Sequence, residues 1–305
     1  MLRRLLAIAL LLLLQPLPCR ADGVDVAVLQ TSTLLPYEGV KNSFLRHYAT
    51  LVPVRGTKSI QSFSSDQYLL SEQGEDEVRR RLSDRAPRLV VAIGGRALEL
   101  ATDSLDLPIL FLLVPEAAAR IERHPHLTGV LLEVEPSRQL ALFADRLPGR
   151  RFGTVYLAGA LEKELALAGD LAAGRGFELR PVRVASAEQA PAAFRQLAAE
   201  VDVLWLLADS ALLSPANLTY VFSLSAERRI PVVSFTDVFL KQGAALGISF
   251  DLDDMGRQAA EMAARIARGT PIGDIPPQPP RDIHVETNPN VLRKLGLTLS
   301  PEPLE

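Results

Sequence analysis

The sequence predicts an α/β protein made of two doubly wound, parallel-sheet lobes. Three observations carry this expectation. Short apolar strands alternate with amphipathic helices almost throughout the chain. Those strands are apolar on both faces, as in parallel sheets covered by helices on either side. The strand–helix cycle also runs to about residue 134 and then begins again. The repetition is one of architecture, with no residue-level internal repeat.

The N-terminus stands apart from this pattern. Arg3 and Arg4 precede an unbroken apolar run from Leu5 to Leu14, ended by Pro16 and Pro18. That run is well short of the ~20 residues that span a bilayer and has the length of a signal-peptide core. Cys19-Arg20-Ala21 places small residues at −3 and −1 of a cut before Asp22. Residues 1–21 therefore read as a signal peptide, and the protein is expected to be periplasmic or otherwise exported. Lipid anchoring at Cys19 is the weaker alternative, because Pro18 stands where a lipidation site wants Gly or Ala. Cys19 is the only cysteine, so the mature chain would hold no disulfide.

In the first lobe, "VDVAVLQ" (24–30) is a short strand, and Val40, Phe44 and Tyr48 at i, i+4, i+8 mark a helix over Tyr37–Tyr48. "LVPV" (51–54) reads as a second strand, and 56–75 is polar and without clear period. Residues 75–86 form an exposed helix with a narrow Val78/Leu82 stripe. "RLVVAIGG" (88–95) is a strand running into a tight turn and a helix. "LPILFLLVP" (107–115) and "HLTGVLLEV" (126–134) are two further strands.

In the second lobe, "FGTVYLAG" (152–159) is a strand and Leu161–Arg175 a helix. "ELRPVRV" (178–184) is a strand, 187–200 contains a helix, and "VDVLWLL" (201–207) is a buried strand. A helix over Pro215–Arg228 follows, with Ser214 as N-cap and proline at N1. "IPVVSF" (230–235) is the next strand. "GAALGISFDLDDMGRQAAEMAARIARG" (243–269) is a strand and a strong helix, with Asp251 or Asp253 as cap and Gly269 at the C-cap. "TPIGDIPPQPP" (270–280) holds five prolines in eleven residues and reads as an extended, stiff crossing segment. A short strand and a short helix close the chain within 282–299.

Several function classes drop out. Without Arg3, Arg4 and Arg20 the 33 basic residues become 30 against 36 acidic ones, a net charge near −6. There is no basic stripe and no basic–aromatic alternation, so nucleic acid is not an expected partner. The histidines are His47, His124, His126 and His284, and no cysteine or acidic partner stands at ligand spacing, so no metal or cofactor is expected. No G-x-S-x-G elbow is present and no cysteine remains after processing, so no catalytic residue is assigned. "IGGRA" lacks the third glycine and the Lys-Ser/Thr of phosphate-binding loops. "NLT" (217–219) matches a glycosylation acceptor but falls inside a predicted helix.

Ligands of open parallel sheets bind beyond the carboxyl ends of the strands. Here those ends carry Thr31, Ser32, Thr33 and, on the next helix, Tyr37; then Gly94, Gly95 and Arg96; then Val114. The second cycle adds Ala158 and Gly159, Asp209 and Ser210, and Phe235 and Thr236. Most are small and polar, which brings backbone N–H groups and hydroxyls close to a ligand. Asp209 is a carboxylate in a mostly neutral rim and suits a ligand ammonium. Each has a plainer role open to it: Asp209 can bond its own loop, Thr31–Thr33 can cap a helix, and the Gly94-Gly95 turn can simply be tight.

The stretches "LVVAIGGRALELA", "LPILFLLVPEAA", "LTGVLLEVEPSRQLALFADRLPGRRFGTVYLAG" and "VDVLWLLADSALLSP" carry a family likeness. So do "IPVVSFTDVFLKQGAALGISFDLDDMGRQAAEMAARIARGTPIGDIP" and "VETNPNVLRKLGLTL". Over 88–299 the chain resembles periplasmic substrate-binding proteins of ABC importers, in the group of tryptophan- and tyrosine-type binding proteins. Residues 22–87 match less well. The resemblance implies a type I periplasmic-binding fold: two lobes, three crossing segments and a cleft between the lobes. Lobe I would take 22–134 and 246–276, and lobe II 135–245 and 277–305. Where the family usually has a Thr-Asp-Asn-like corner, this chain has Ala208-Asp209-Ser210. Where it has a longer polar loop, this chain has "LAGALEKE".

The resemblance thus implies a non-catalytic monomer that binds a small molecule, an amino acid or related metabolite, and delivers it to an ABC permease at the membrane. The alternatives are an exported sensor that uses the same cleft to signal to a protein partner, and an exported α/β enzyme.

Overall fold

The computed structural model describes residues 26–52, 65–157, 159 and 161–300. The signal-peptide reading and Cys19 lie outside them. The chain divides into two compact units. Among the described residues the first takes 26–52, 65–114, 118–129 and 259–276, and the second takes 115–117, 130–258 and 277–300. No helix among the described residues is long and apolar enough to cross a membrane.

The first unit is a five-stranded parallel sheet. In chain order it contains β1 (Val26–Gln30), α1 (Leu35–Leu51), β2 (Ser65–Leu69), α2 (Leu70–Gln73), α3 (Glu75–Arg85), β3 (Leu89–Ile93), α4 (Gly95–Ser104), β4 (Ile109–Leu112), α5 (Ala118–Ile121) and β5 (Leu127–Gly129). The order across the sheet is β2-β1-β3-β4-β5, and every pairing is parallel. Every residue of β1, β3 and β4 is buried, as two-sided helix cover requires. Helix α1 contributes Val40, Phe44 and Tyr48 to the core, the two rings stacked at 5.4 Å. Helix α3 contributes the expected Val78 and Leu82.

The second strand departs from expectation. Leu51 closes α1, Pro53 and Val54 lie outside the described residues, and the strand beside β1 is Ser65–Leu69 in the polar stretch. An edge strand has one neighbour and partial cover, so it needs little apolar sequence; in β2 only Tyr68 is buried.

The second unit contains α6 (Pro136–Arg146), β6 (Arg151–Leu157), α7 (Leu161–Gly174), β7 (Glu178–Val184), α8 (Ala190–Leu197), β8 (Val203–Leu206), α9 (Pro215–Arg228), β9 (Val232–Ser234), β10 (Leu246–Phe250), β11 (Ile283–Thr287) and α11 (Pro289–Leu295). Its sheet runs β11-β10-β9-β8-β6-β7, parallel except for β11. Alternate residues of β8 serve two cores. Val203, Trp205 and Leu207 join Phe143, Phe152 and Leu246 on one face, while Leu204 and Leu206 join Phe194, Val221 and Val232 on the other. Helix α6 was not among the expected elements, though Pro136 occupies its first turn and Leu140, Phe143 and Ala144 form its buried stripe.

The expected lobe limits shift. β10 pairs in parallel with β9 and over five residues with β11, so 246–250 belongs to the second sheet and not to the first lobe. Residues 130–134 likewise fall in the second unit. Apart from the brief excursion at 115–117, the chain passes between units at 129/130, within helix α10 (Leu252–Ala267) at 258/259, and at 276/277. A strand feeding a strong helix reads as one self-contained βα element, and only strand pairing reveals that the passage occurs inside the helix.

Candidate functional site

Both sheets share one strand order when each is counted from its own first strand: second, first, third, fourth, fifth. The order reverses between first and third strand, and that reversal is where open α/β sheets bind ligands.

In the first unit the reversal lies between β1 and β3. Thr31 follows β1 and bonds across it: its N–H donates to Ile93 O at 3.0 Å and its hydroxyl to the same oxygen at 3.1 Å. Thr31 Oγ1 also accepts from Ala97 N at 3.2 Å, capping α4. Gly94 follows β3 with φ +90°, and a Cβ there would lie 2.6 Å from Thr31 Oγ1 and 3.0 Å from the Tyr37 hydroxyl. Thr31, Tyr37 and Gly94 therefore converge. Ser32 is half-buried and Thr33 exposed.

The loop they occupy is held from beneath. Gln30, 3% exposed, donates from Nε2 to Ser32 O at 2.5 Å and to Glu38 Oε1 at 2.6 Å. Lys41 pairs with the same carboxylate at 2.8 Å. These two partners, Lys41 first, hold the Glu38 carboxyl below its ordinary range.

The remaining candidates of this unit behave differently. Gly95 is half-buried at the first turn of α4. Arg96 is exposed, and its guanidinium bonds Glu75 on α3. Val114 is 1% exposed, buried backbone and side chain together, so the expected contact there gives way to a place in the core. It follows Leu113, which at φ +52° turns the chain sharply after β4; Glu116 is left-handed as well. Such residues cost on the order of 1 kcal/mol each and tend to gather at functional edges.

In the second unit the reversal lies between β6 and β8. Asp209 follows β8, and its Oδ2 accepts from Leu157 N at the end of β6, at 3.1 Å. Its carbonyl accepts from Leu212 N and Leu213 N, closing the turn toward α9. Its Oδ1 has no hydrogen bond among the described residues. Beneath the turn lies a cavity of about 10 Å³ lined by Asp209, Leu212, Phe194 and Val221, room for about one water. Ser210 and Gly159 are exposed, and Ala158 lies outside the described residues. Thr236 Oγ1 accepts from Val238 N at 3.3 Å, capping a short 3-10 turn, and Phe235 meets Phe239 edge-on at 5.8 Å.

Sequence reasoning missed three apolar side chains at these edges. Leu34 and Leu35 are 61% and 86% exposed at the start of α1, and Val238 is 62% exposed beside Thr236. Their signal was an apolar residue next to a polar strand end, which in sequence looks like core. It also missed one possible ligating group: Asp251, Asp282 and His284 bring one donor atom each within 4.8 Å of one another. Asp251 Oδ1 already caps α10 through Asp253 N and Asp254 N, and Asp282 pairs with His284 at 3.4 Å. The α10 cap and the Asp282–His284 contact account for the group.

Two α/β units, each with a polar strand-end edge at a reversal of strand order, define a protein of the periplasmic-binding class. The chain belongs to the ABC transporter substrate binding protein family, whose pattern matches residues 70–304. That family consists of substrate-binding, not catalytic, proteins. The chain is 21% identical over 150 residues to a tyrosine-binding protein of Clostridioides difficile (strain R20291), a match over 48% of this chain and 43% of that one. The chain thus spans less than half the length of that curated relative. Among solved structures it resembles a substrate-binding protein with adhesive properties from Clostridium difficile in its ligand-free, open form. The TM-score is 0.67 and the identity 18%, over 91% of this chain and 96% of the other. It also resembles a Streptococcus ABC domain in complex with L-Trp, with TM-score 0.56 and 16% identity over 90% and 94% of the two chains.

Proposed function

We propose that this protein captures an amino acid or related metabolite between its two units and delivers it to an ABC permease. The observation that carries the reading is the matched pair of strand-order reversals, each with a polar side chain bonded across it: Thr31 in one unit, Asp209 in the other. In each case the side chain is fixed by one strand end, at the kind of strand-order reversal where ligands of such sheets bind, which supports a role in the proposed site. Asp209 retains one oxygen for a ligand ammonium. The exposed Leu34, Leu35 and Val238 supply apolar surface for the rest of such a ligand. What the Clostridioides and Streptococcus proteins bind supports an amino acid as the first class to test.

Contacts from both units to one guest stabilise the closed arrangement, so ligand shifts a hinge equilibrium; a ligand touching one unit alone would not. The closed form then meets the permease as a monomer, in the periplasm or another exported location reached through residues 1–21. Mass spectrometry of the ligand that co-purifies, followed by calorimetry with the ligand-stripped protein, tests the reading. Micromolar or tighter binding of an amino acid or related metabolite is expected. No binding across a broad panel would overturn it.

A further inference from the structure

The second unit has another concavity, at the opposite end of its strands from Asp209. Segments at the amino ends of β6, β8 and β9 enclose an open depression of about 490 Å³, within the size range of small-molecule pockets. Leu147, Ile230, Pro231 and Leu297 line it with hydrocarbon. Most backbone donors around it are already engaged. Leu147 N donates to Phe143 O, Arg229 N and Ile230 N to Ser225 O, and Arg150 N to the Asp202 carboxylate. Pro148 and Pro231 carry no N–H at all. The guanidinia of Arg150 and Arg229, which also line the depression, are left to meet a guest.

Both arginines are exposed, and neither side chain has a hydrogen bond or ion pair among the described residues. Their neighbours are paired: Arg151 with Asp202, Arg175 with Asp145 and Arg228 with Glu227. The Arg150 guanidinium lies over the Phe177 ring, 4.8 Å from its centroid, which positions the charge and leaves its N–H groups free. Arg229 follows α9 in the left-handed region, at φ +56°, where glycine or asparagine is the usual residue. Helices α6 and α9 end here, and cations are ordinary near helix C-termini. That accounts for positive residues, but not for a hydrocarbon-lined hollow that both of them border. Asp202 lines the hollow too, but Arg151 and two backbone N–H groups take up its oxygens, so the two free guanidinia set the net charge. The geometry points to a second binding site, for a small amphipathic anion: an apolar body against the hydrocarbon, and a carboxylate or phosphate on Arg150 and Arg229. A planar guanidinium suits either anion, because its paired N–H groups match two oxygens. The site is independent of what the protein captures at Asp209.

Calorimetry with decanoate below its micellar range tests this, with decanol supplying the body alone and inorganic phosphate the charge alone. Decanoate is expected to bind more tightly than either. R150Q/R229Q should weaken decanoate at least about tenfold, the order expected when charge-assisted bonds are lost, and added salt should weaken it as well. Asp209→Asn should leave decanoate affinity unchanged, which separates this hollow from the strand-end site. If the double variant does not fold by circular dichroism, R229Q alone is read in the same way, with a loss of at least about threefold expected. No decanoate binding, affinity unchanged in a folded variant, or decanol or phosphate binding as tightly overturns the site. So does binding to phosphatidylglycerol vesicles without binding to free decanoate, which would make these arginines a charged surface and not a pocket. Each of those failures leaves amino-acid capture standing, and an amino-acid panel without binding leaves this site standing.

Discussion

Asp209 Oδ2 accepts a hydrogen bond from Leu157 N at 3.1 Å, joining the ends of β8 and β6 where the strand order reverses. The acid is thus a structural clip, and under the proposed function its Oδ1 is the group offered to a ligand. These two roles separate by substitution. Asp209→Ala removes both and is expected to weaken an ammonium-bearing ligand by more than about tenfold. Asp209→Asn keeps an oxygen for Leu157 N and loses only the charge, so it should retain stability and still lose affinity. Calorimetry and thermal unfolding on the two variants check this; equal affinity for the parent and Asp209→Asn would remove the carboxylate from the ligand contacts.

Gly94→Ala tests the convergence in the first unit. The new methyl would meet Thr31 Oγ1 at 2.6 Å and the Tyr37 hydroxyl at 3.0 Å, at φ +90° where L side chains are strained. A loss of at least about 1–2 kcal/mol is expected in urea unfolding, from steric and backbone terms together. A variant as stable as the parent would mean the turn relaxes without cost.

Asp202 provides an acid-stability prediction. Its carboxylate accepts from the Arg151 side chain at 2.6 Å and from the backbone N–H groups of Arg150 and Arg151 at 3.0 Å each. The Arg151 hydrogen bond is the main reason its pKa lies below the ordinary value. A folded pKa below the unfolded one stabilises the protein above the unfolded value near pH 4 and stops doing so as pH falls through the folded value. Asp202→Asn should therefore flatten the pH dependence of stability below about pH 4, measured by denaturant midpoints across pH.

Tyr68 provides an alkaline counterpart. Burial first, and then the neighbouring Asp66 carboxylate, push its phenol up to about 12. An unfolded tyrosine ionises near pH 10, so its folded-state proton stabilises the protein below that pH and ceases to as pH rises through about 12. Phenolate absorbance should show a late-titrating component that Tyr68→Phe removes.

Much of this architecture was legible in the residues. Buried parallel strands announce themselves as short runs apolar at every position, as in Val26–Gln30 and Leu89–Ile93. Helix punctuation was equally local: Ser214 caps α9 by accepting from Asn217 N, and Asp251 caps α10. The edge strand Ser65–Leu69 was not legible, because one-sided cover leaves no apolar signature. The strand ends were legible as positions, but what their side chains touch was not. Arg96 turns out to serve Glu75, and Val114 the core.

The sequence by itself determined the buried strands and most of the capped helices, though not β2 or α6, because hydrophobic period and capping are properties of adjacent residues. Only the tertiary structure decided that β10 joins the second sheet, that Thr31 and Tyr37 meet at Gly94, and that four carbonyls of a proline-rich stretch find donors on Arg138, Gln258 and Leu131. Those outcomes depend on pairing between residues far apart in the chain. A backbone carbonyl looks the same in every sequence until the fold shows what donates to it.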